Sequence, residues 1–227
     1  MKFFKRLLNK IESDFDSNKH DDDSDAIFSL SSASISLEEK LNLQFSGSAA
    51  LCIKKINGSI FENTIKDCND FLDASKEEFK FRYNLYLDSY NYLWFIITTK
   101  ELTPYSDIIT NVAAGLSSIG DIIEENGFAD QILSAIFKFN FANTNTNSLE
   151  ENEKKDVDHD SRYIKVYNNI KNLYLIYNYK TNNFYPYIPI NSQRDTTKEL
   201  QVLSIIKKLV SSENDISKWY PIKDIPF

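Results

Sequence analysis

The chain has 227 residues, five of them glycine, and a formal net charge of −7 at pH 7. That length suits one domain, or one domain with tails, and it buries a core without cross-links. The charge disfavours a nucleic-acid partner and the scarcity of glycine disfavours phosphate-cradling loops; two cysteines are too few for a disulfide framework or a zinc site.

Residues 1–11, MKFFKRLLNKI, place Phe3, Phe4, Leu7, Leu8 and Ile11 at helical spacing beside Lys2, Lys5, Arg6 and Lys10. The segment either lies on an anionic membrane surface, with Phe3, Phe4, Lys5, Arg6 and Leu7 at the interface, or is a frayed helix or disordered tail. It lacks the apolar stretch and cleavage site of a signal peptide. Residues 12–25 are acidic and polar and read as a disordered linker. Order is expected from residue 26 to 227, as a single domain.

Within that domain, Ser34–Phe45 reads as a short helix with Ser36 and Glu39 in a capping box. Ala49–Ile56 reads as a strand, and Asn57-Gly58 as a turn. Ile60–Ala74 is expected to be a helix with Phe61, Ile65, Cys68, Phe71 and Leu72 on one face. Phe79–Leu87 and Tyr92–Thr99 read as two strands joined near Asp88–Asn91. Thr103-Pro104 opens the best-marked helix, its stripe running from Ile108 to Ile123, and Asn126-Gly127 closes it. Ile132–Phe141 alternates as a half-buried strand. Residues 142–160 are rich in Asn, Thr and acid and read as a flexible loop. Arg162–Tyr167, Leu173–Tyr179 and Phe184–Ile188 are expected strands, the last on a sheet edge because Pro186 and Pro189 lack donors. Thr196–Val210 is the final helix. Strands in pairs separated by helices favour an α+β fold: a largely antiparallel twisted sheet with helices mainly on one face.

Catalytic chemistry finds little footing. Both histidines, His20 and His159, fall in stretches read as disordered, so neither is a well-held general base or metal ligand. Cys52 and Cys68 read as core. No spaced acidic motif marks a metal or cofactor site, and none is expected. At Gln193-Arg194-Asp195, Arg194 either clamps a partner's carboxylate or pairs with a nearby acid, while Asp195 suits the cap of the last helix. The tyrosines of 174–187 lack the basic groove of a single-strand binder. The aromatic C-terminal stretch, with Trp219, Tyr220 and Phe227, is either packed or a recognition surface.

Several blocks carry a resemblance: SSASISLE (31–38), GFADQILSAIFKF (127–139), LYLIYNYKTNNFYPYIP (173–189), QRD followed by Glu199-Leu200, and the terminal WYPIKDIPF. Together they resemble the PspA-associated protein PspAB family over residues 26–227. The resemblance implies a link to the phage-shock, or envelope-stress, system built around the coiled-coil protein PspA, and members of the family are often encoded beside a membrane metalloprotease of the HtpX type. It implies no catalytic residue. The order of elements also has a fold-level likeness to the small secretion-chaperone sandwich.

The function expected is that of a non-enzymatic accessory protein acting through contacts with a PspA-like coiled coil or an HtpX-type protease. Tyr185, Tyr187, Arg194, Trp219 and Tyr220 are the expected contact residues. The location expected is cytoplasmic, with peripheral contact to the inner face of the membrane. The alternatives are a carboxylate-dependent hydrolase or transferase, and a chaperone-like binder of extended peptides at a sheet edge.

Overall fold

The computed structural model describes residues 22–99, 105–141, 172–190, 193–222 and 224–227. The expected amphipathic segment at 1–11, the loop at 142–160, the strand at 162–167, the Thr103-Pro104 start and both histidines lie outside them. The fold is α+β. Its elements are α1 (Asp22–Leu41), β1 (Leu43–Lys54), α2 (Ser59–Ser75), β2 (Phe81–Leu87), β3 (Tyr92–Thr99) and α3 (Tyr105–Glu125). Then come β4 (Ile132–Phe141), β5 (Leu173–Asn178), β6 (Asn183–Tyr187), the two-residue strands β7 (Pro189–Ile190) and β8 (Gln193–Arg194), and α4 (Thr196–Ile206). Six strands form one antiparallel sheet in the order β2-β3-β1-β4-β5-β6.

One helix differs from its sequence reading. α1 begins at Asp22, inside the stretch read as linker, and ends at Leu41, so Ser36 lies in its interior and caps nothing. Leu30, Ala33, Leu37 and Leu41 form its buried stripe. The small polar residues between them hid the pattern; Ser34 satisfies its hydroxyl on the Ser31 carbonyl, 2.8 Å away. Asn42, with φ of 54°, ends the helix, and the chain enters β1 at Leu43 rather than Ala49. There Leu43 and Phe45 are buried, alternating with half-buried Gln44 and Ser46. A register shift against β4 between Phe45 and Ala49 brackets Gly47, whose φ is +81°.

α2 and α3 follow their apolar stripes. Phe61, Cys68 and Leu72 are buried from α2, and Ile109, Val112, Leu116, Ile119 and Ile123 from α3. α3 ends in a Schellman motif: the Phe128 amide donates to the Ile123 carbonyl and the Gly127 amide to that of Glu124. Gly127 has φ of +83°, which a side chain resists. Phe128 then packs edge-on against Phe61, tying α2 to the end of α3. α4 is shorter than its pattern suggested, ending at Ile206; Val202, Leu203 and Ile206 are its buried apolar positions, while Leu200 is exposed.

α1 and α3 lie against the central strands, with α2 against α3. Strand alternation puts Phe81, Ile97, Leu51 and Phe137 toward these helices, and Trp94, Cys52, Ser134 and Tyr185 on the opposite face. That second face is also well covered at mid-sheet. Ala50, Ile136 and Ile176 have no exposure, so β4 is buried on both faces rather than on one.

Gly115 fixes how closely α3 approaches the sheet. A Cβ there would stand 2.8 Å from Ile97 Cδ1 and 3.5 Å from the Phe81 ring. Alanine would crowd only the flexible end of Ile97, and its better helix propensity, about 1 kcal/mol, offsets that. Valine adds bulk with no such compensation. Gly115→Val is therefore expected to lower stability by about 2 kcal/mol, and Gly115→Ala to leave it within about 1 kcal/mol, as read from urea unfolding midpoints.

Candidate functional site

The C-terminal region forms a corner around β6 that begins with a backbone problem. β6 is the sheet edge, as Pro186 required, yet its outward-facing groups are all satisfied. The Phe184 amide donates to Ser211, and its carbonyl accepts from Glu213. Pro186 has no amide, and its carbonyl accepts from Arg194 Nη2 at 3.3 Å. The Ile188 amide donates to Glu199 Oε1 at 2.8 Å, and its carbonyl accepts from Asp195. The edge is occupied along its length by the chain that follows it.

Arg194 and Glu199 organise this closure. Glu199 has no exposure, and Arg194 Nε donates to its Oε2 at 2.7 Å. Burial raises the Glu199 carboxyl above its ordinary value, against the opposing pull of Arg194 and the Ile188 amide. Arg194 Nη1 donates to the Trp219 carbonyl at 2.8 Å. Its guanidinium also lies over the rings of Tyr187 and Trp219, 5.6 and 5.4 Å from their centroids. Asp195 caps α4 by accepting from the Lys198 amide. Both structural alternatives read from Gln193-Arg194-Asp195 are thus present: the cap, and the ion pair.

The tail is laid on the sheet through its main chain. Tyr185 donates its hydroxyl to the Tyr220 carbonyl at 2.9 Å, and Tyr174 to that of Phe227 at 3.4 Å. Trp219 stacks on Tyr185 and donates its indole N–H to the Glu213 carbonyl. The structure therefore brings Tyr185, Tyr187, Arg194, Trp219 and Tyr220 into one corner. Tyr185, Tyr187 and Trp219 are buried within it, Arg194 is mostly enclosed, and Tyr220 is 56% exposed. Burial raises the Tyr185 and Tyr187 hydroxyls, so both stay protonated and able to donate.

Tyr220, Pro221 and Ile222 also form one wall of a cavity of about 900 Å³ at one end of the sheet, whose lining reaches Glu124 at the end of α3 and Ala129-Asp130 beyond it. It lies where β1 and β5 end and β3, β4 and β6 begin. Cys52, Trp94, Ser134 and Tyr185 line its floor side; the turns at Asp88–Tyr92 and Tyr179–Asn182 form further walls, with Lys180 exposed at the rim. Left-handed Asn91 and Asn182 close those two turns. Asp88 is the turn's organiser. Its Oδ1 accepts from the Tyr90 and Tyr92 amides and its Oδ2 from the Trp94 indole.

Chemically the lining has aromatic and aliphatic walls with amide, hydroxyl and ammonium groups around them, a composition suited to binding. Burial, with Asp88 nearby, pushes the Cys52 thiol up to about 12, so it is not a thiolate nucleophile. Among the described residues, the acids that line the cavity are Asp88, whose oxygens hold the turn, and exposed Glu124 and Asp130; no buried pair of carboxylates converges there. Nor does any group of acids, His and Cys among them have the arrangement to hold a metal ion. The Asp88–Trp94–Cys52 floor was not singled out in the sequence. Its one local signal was an acid four residues ahead of an aromatic strand.

Removing Arg194 strands Glu199 without a counter-charge and frees the Trp219 and Pro186 carbonyls. Because the guanidinium keeps some exposure, the lower end of the range for a broken buried pair applies. Arg194→Ala is expected to lower stability by about 3 kcal/mol. Arg194→Lys is expected to recover less than half of that, since an ammonium cannot span the same set of acceptors. Chemical denaturation measures both.

No curated protein and no solved structure matches the chain. A family model does match, over residues 1–227, and its description is PspA associated protein B. A chain matched along its whole length, with the aromatic hairpin, the Arg194 corner and the tail packed as one unit, belongs to the PspA associated protein B family.

Proposed function

We propose that the protein is a non-enzymatic accessory of a phage-shock, or envelope-stress, system that works by protein–protein contact, with a PspA-like coiled coil as its partner. Membership of a family described as PspA associated carries this reading. The cavity beside Tyr220 supplies a surface of suitable chemistry. Its aromatic walls suit the apolar side chains of a helix, and Lys180 at the rim suits the acidic positions that flank such a stripe. Buried Tyr185, Tyr187 and Trp219 shape the corner, while Tyr220 meets the partner. An HtpX-type membrane protease is the other partner that the same test examines.

Residues 1–11 are the proposed route to the membrane: five apolar and four basic side chains on one short segment. Their apolar burial contributes a few kcal/mol at about 25 cal/mol per Å², and each basic group about 1 kcal/mol near anionic lipid. The cost of ordering so short a helix offsets much of this. Among the described residues no helix is long and apolar enough to cross a membrane. The expectation is weak, salt-sensitive binding of the full-length chain to anionic vesicles. Co-sedimentation that is unchanged by deletion of residues 1–11 would remove this role.

The partner reading is tested by calorimetric titration of the full-length chain with a PspA-like coiled coil and, separately, with a detergent-solubilised HtpX-type protease. Tyr220→Ala keeps the carbonyl that Tyr185 holds, and Lys180→Glu alters only an exposed side chain. Each is expected to weaken binding about tenfold with an unchanged melting temperature. No heat from the coiled coil, or equal affinity for wild type and both variants, overturns the reading.

A further inference from the structure

The two edges of the main sheet are finished differently. On β6 every outward amide and carbonyl is taken by residues 194–213. On β2, among the described residues, the opposite holds. The Asp88 amide donates to the Tyr92 carbonyl, which sets the alternation of the β2–β3 ladder. Tyr86, Asn84 and Arg82 then bond to β3, and Tyr83, Leu85 and Leu87 turn their backbone groups outward. The next residue in that series, Phe81, already donates its amide to Lys76. No described strand lies beyond β2. The strand also lacks the usual protection of an edge: no proline, no bulge and a single charge, Arg82. Arg82, Asn84, Tyr86 and Leu87 are exposed.

We propose that β2 pairs antiparallel with β2 of a second copy of this chain, joining two six-stranded sheets across a two-fold axis at Leu85. The register follows from which groups are available. With Leu85 opposite Leu85, Tyr83 faces Leu87 of the second copy, so the three residues with outward groups use them all and each pair exchanges both its bonds. Phe81, already engaged, is not needed. The side chains agree with this register on both faces. On the helix face, half-buried Tyr83 meets the exposed Leu87 of the second copy, and the two Leu85 side chains meet at the axis. On the other face, Arg82 stands opposite Asp88 of the second copy, whose carboxylate keeps its bonds to the Tyr90 and Tyr92 amides and the Trp94 indole while its charge faces Arg82 in register, and Asn84 stands opposite Tyr86. The two-fold repeats the opposite-charge pair, which is the condition for a self-complementary, closed interface. A shift of the axis to Asn84 would require Phe81 and lose the Arg82–Asp88 opposition. The second copy is therefore the occupant whose charge and hydrogen-bonding pattern this edge fits.

Sedimentation velocity of the full-length chain over a micromolar dilution series tests the assignment, with hydrogen exchange as a residue-level readout. A dimer is expected, with the Tyr83, Leu85 and Leu87 amides exchanging more slowly as concentration rises. Leu85→Pro removes an outward amide at a position where an edge strand tolerates proline, and is expected to give monomer. Arg82→Glu places like charges opposite each other from an exposed position, and is expected to raise the dissociation constant at least tenfold. It keeps the test decisive if the proline variant fails to fold. A monomer at every concentration, or a dimer that Arg82→Glu leaves unchanged, overturns the proposal.

Discussion

The corner depends on one carboxylate held out of water. Glu199 has no exposure, and a buried charge is tolerable only when it is paired and hydrogen-bonded. Its two partners lie on different segments, the Ile188 amide just past β6 and the Arg194 guanidinium just before α4. Meeting both fixes the path between them, including the short β7–β8 pairing. Once placed, Arg194 has donors left over, and these take the Pro186 and Trp219 carbonyls. A single desolvated acid thereby joins the edge strand, the last helix and the tail. The pair need not add net stability over an apolar replacement. What it adds is direction, since an apolar cluster would not select one path for residues 188–219.

The same accounting distinguishes the two ends of the sheet. β6 is closed by a proline, a parallel bridge from Phe184 to Ser212, and the Arg194–Glu199 pair. β2 carries none of these, and its exposed residues include Tyr86 and Leu87. Sheet edges with open backbone groups are prone to pairing. Described residues that close one edge so fully and leave the other open confine that pairing to a single place, where the open backbone groups of Tyr83, Leu85 and Leu87 set its register.

The sequence was most legible where one period dominated. The stripe of α3 and the alternation in β4 are strong signals, and β4 was bounded at Ile132 and Phe141. Pro186 marked β6 as an edge because it lacks a donor. α1 was misread because its buried positions, Leu30, Ala33, Leu37 and Leu41, are separated by serines that resemble a cap or linker. The alternation of Leu43 and Phe45 was absorbed into that helix, since two apolar residues at short spacing fit either period. At the candidate site, Arg194 and Asp195 could be assigned roles because a helix cap and an ion pair are local. The Cys52–Trp94 pair could not, because a register between β1 and β3 brings the two together, and Asp88 joins them across the β2–β3 turn. No pattern within one segment reports that register.

The tail's mode of attachment bears on what its side chains can do. Arg194, Tyr185 and Tyr174 hold residues 219, 220 and 227 by their carbonyls. Trp219 and Phe227 are anchored by their side chains as well, Trp219 through stacking on Tyr185 and the bond to Glu213, and Phe227 edge-on against the Tyr174 ring. Recognition through the main chain fixes the course of a segment without consuming its side chains. Tyr220 is therefore positioned through its carbonyl while its ring stays exposed; half-buried Ile222 packs against the core, and both line the cavity with Pro221. At Tyr220 the backbone is fixed and the side chain is still available. This meets the requirement for binding with little ordering cost, because the entropy of fixing the tail has been met on folding rather than on association.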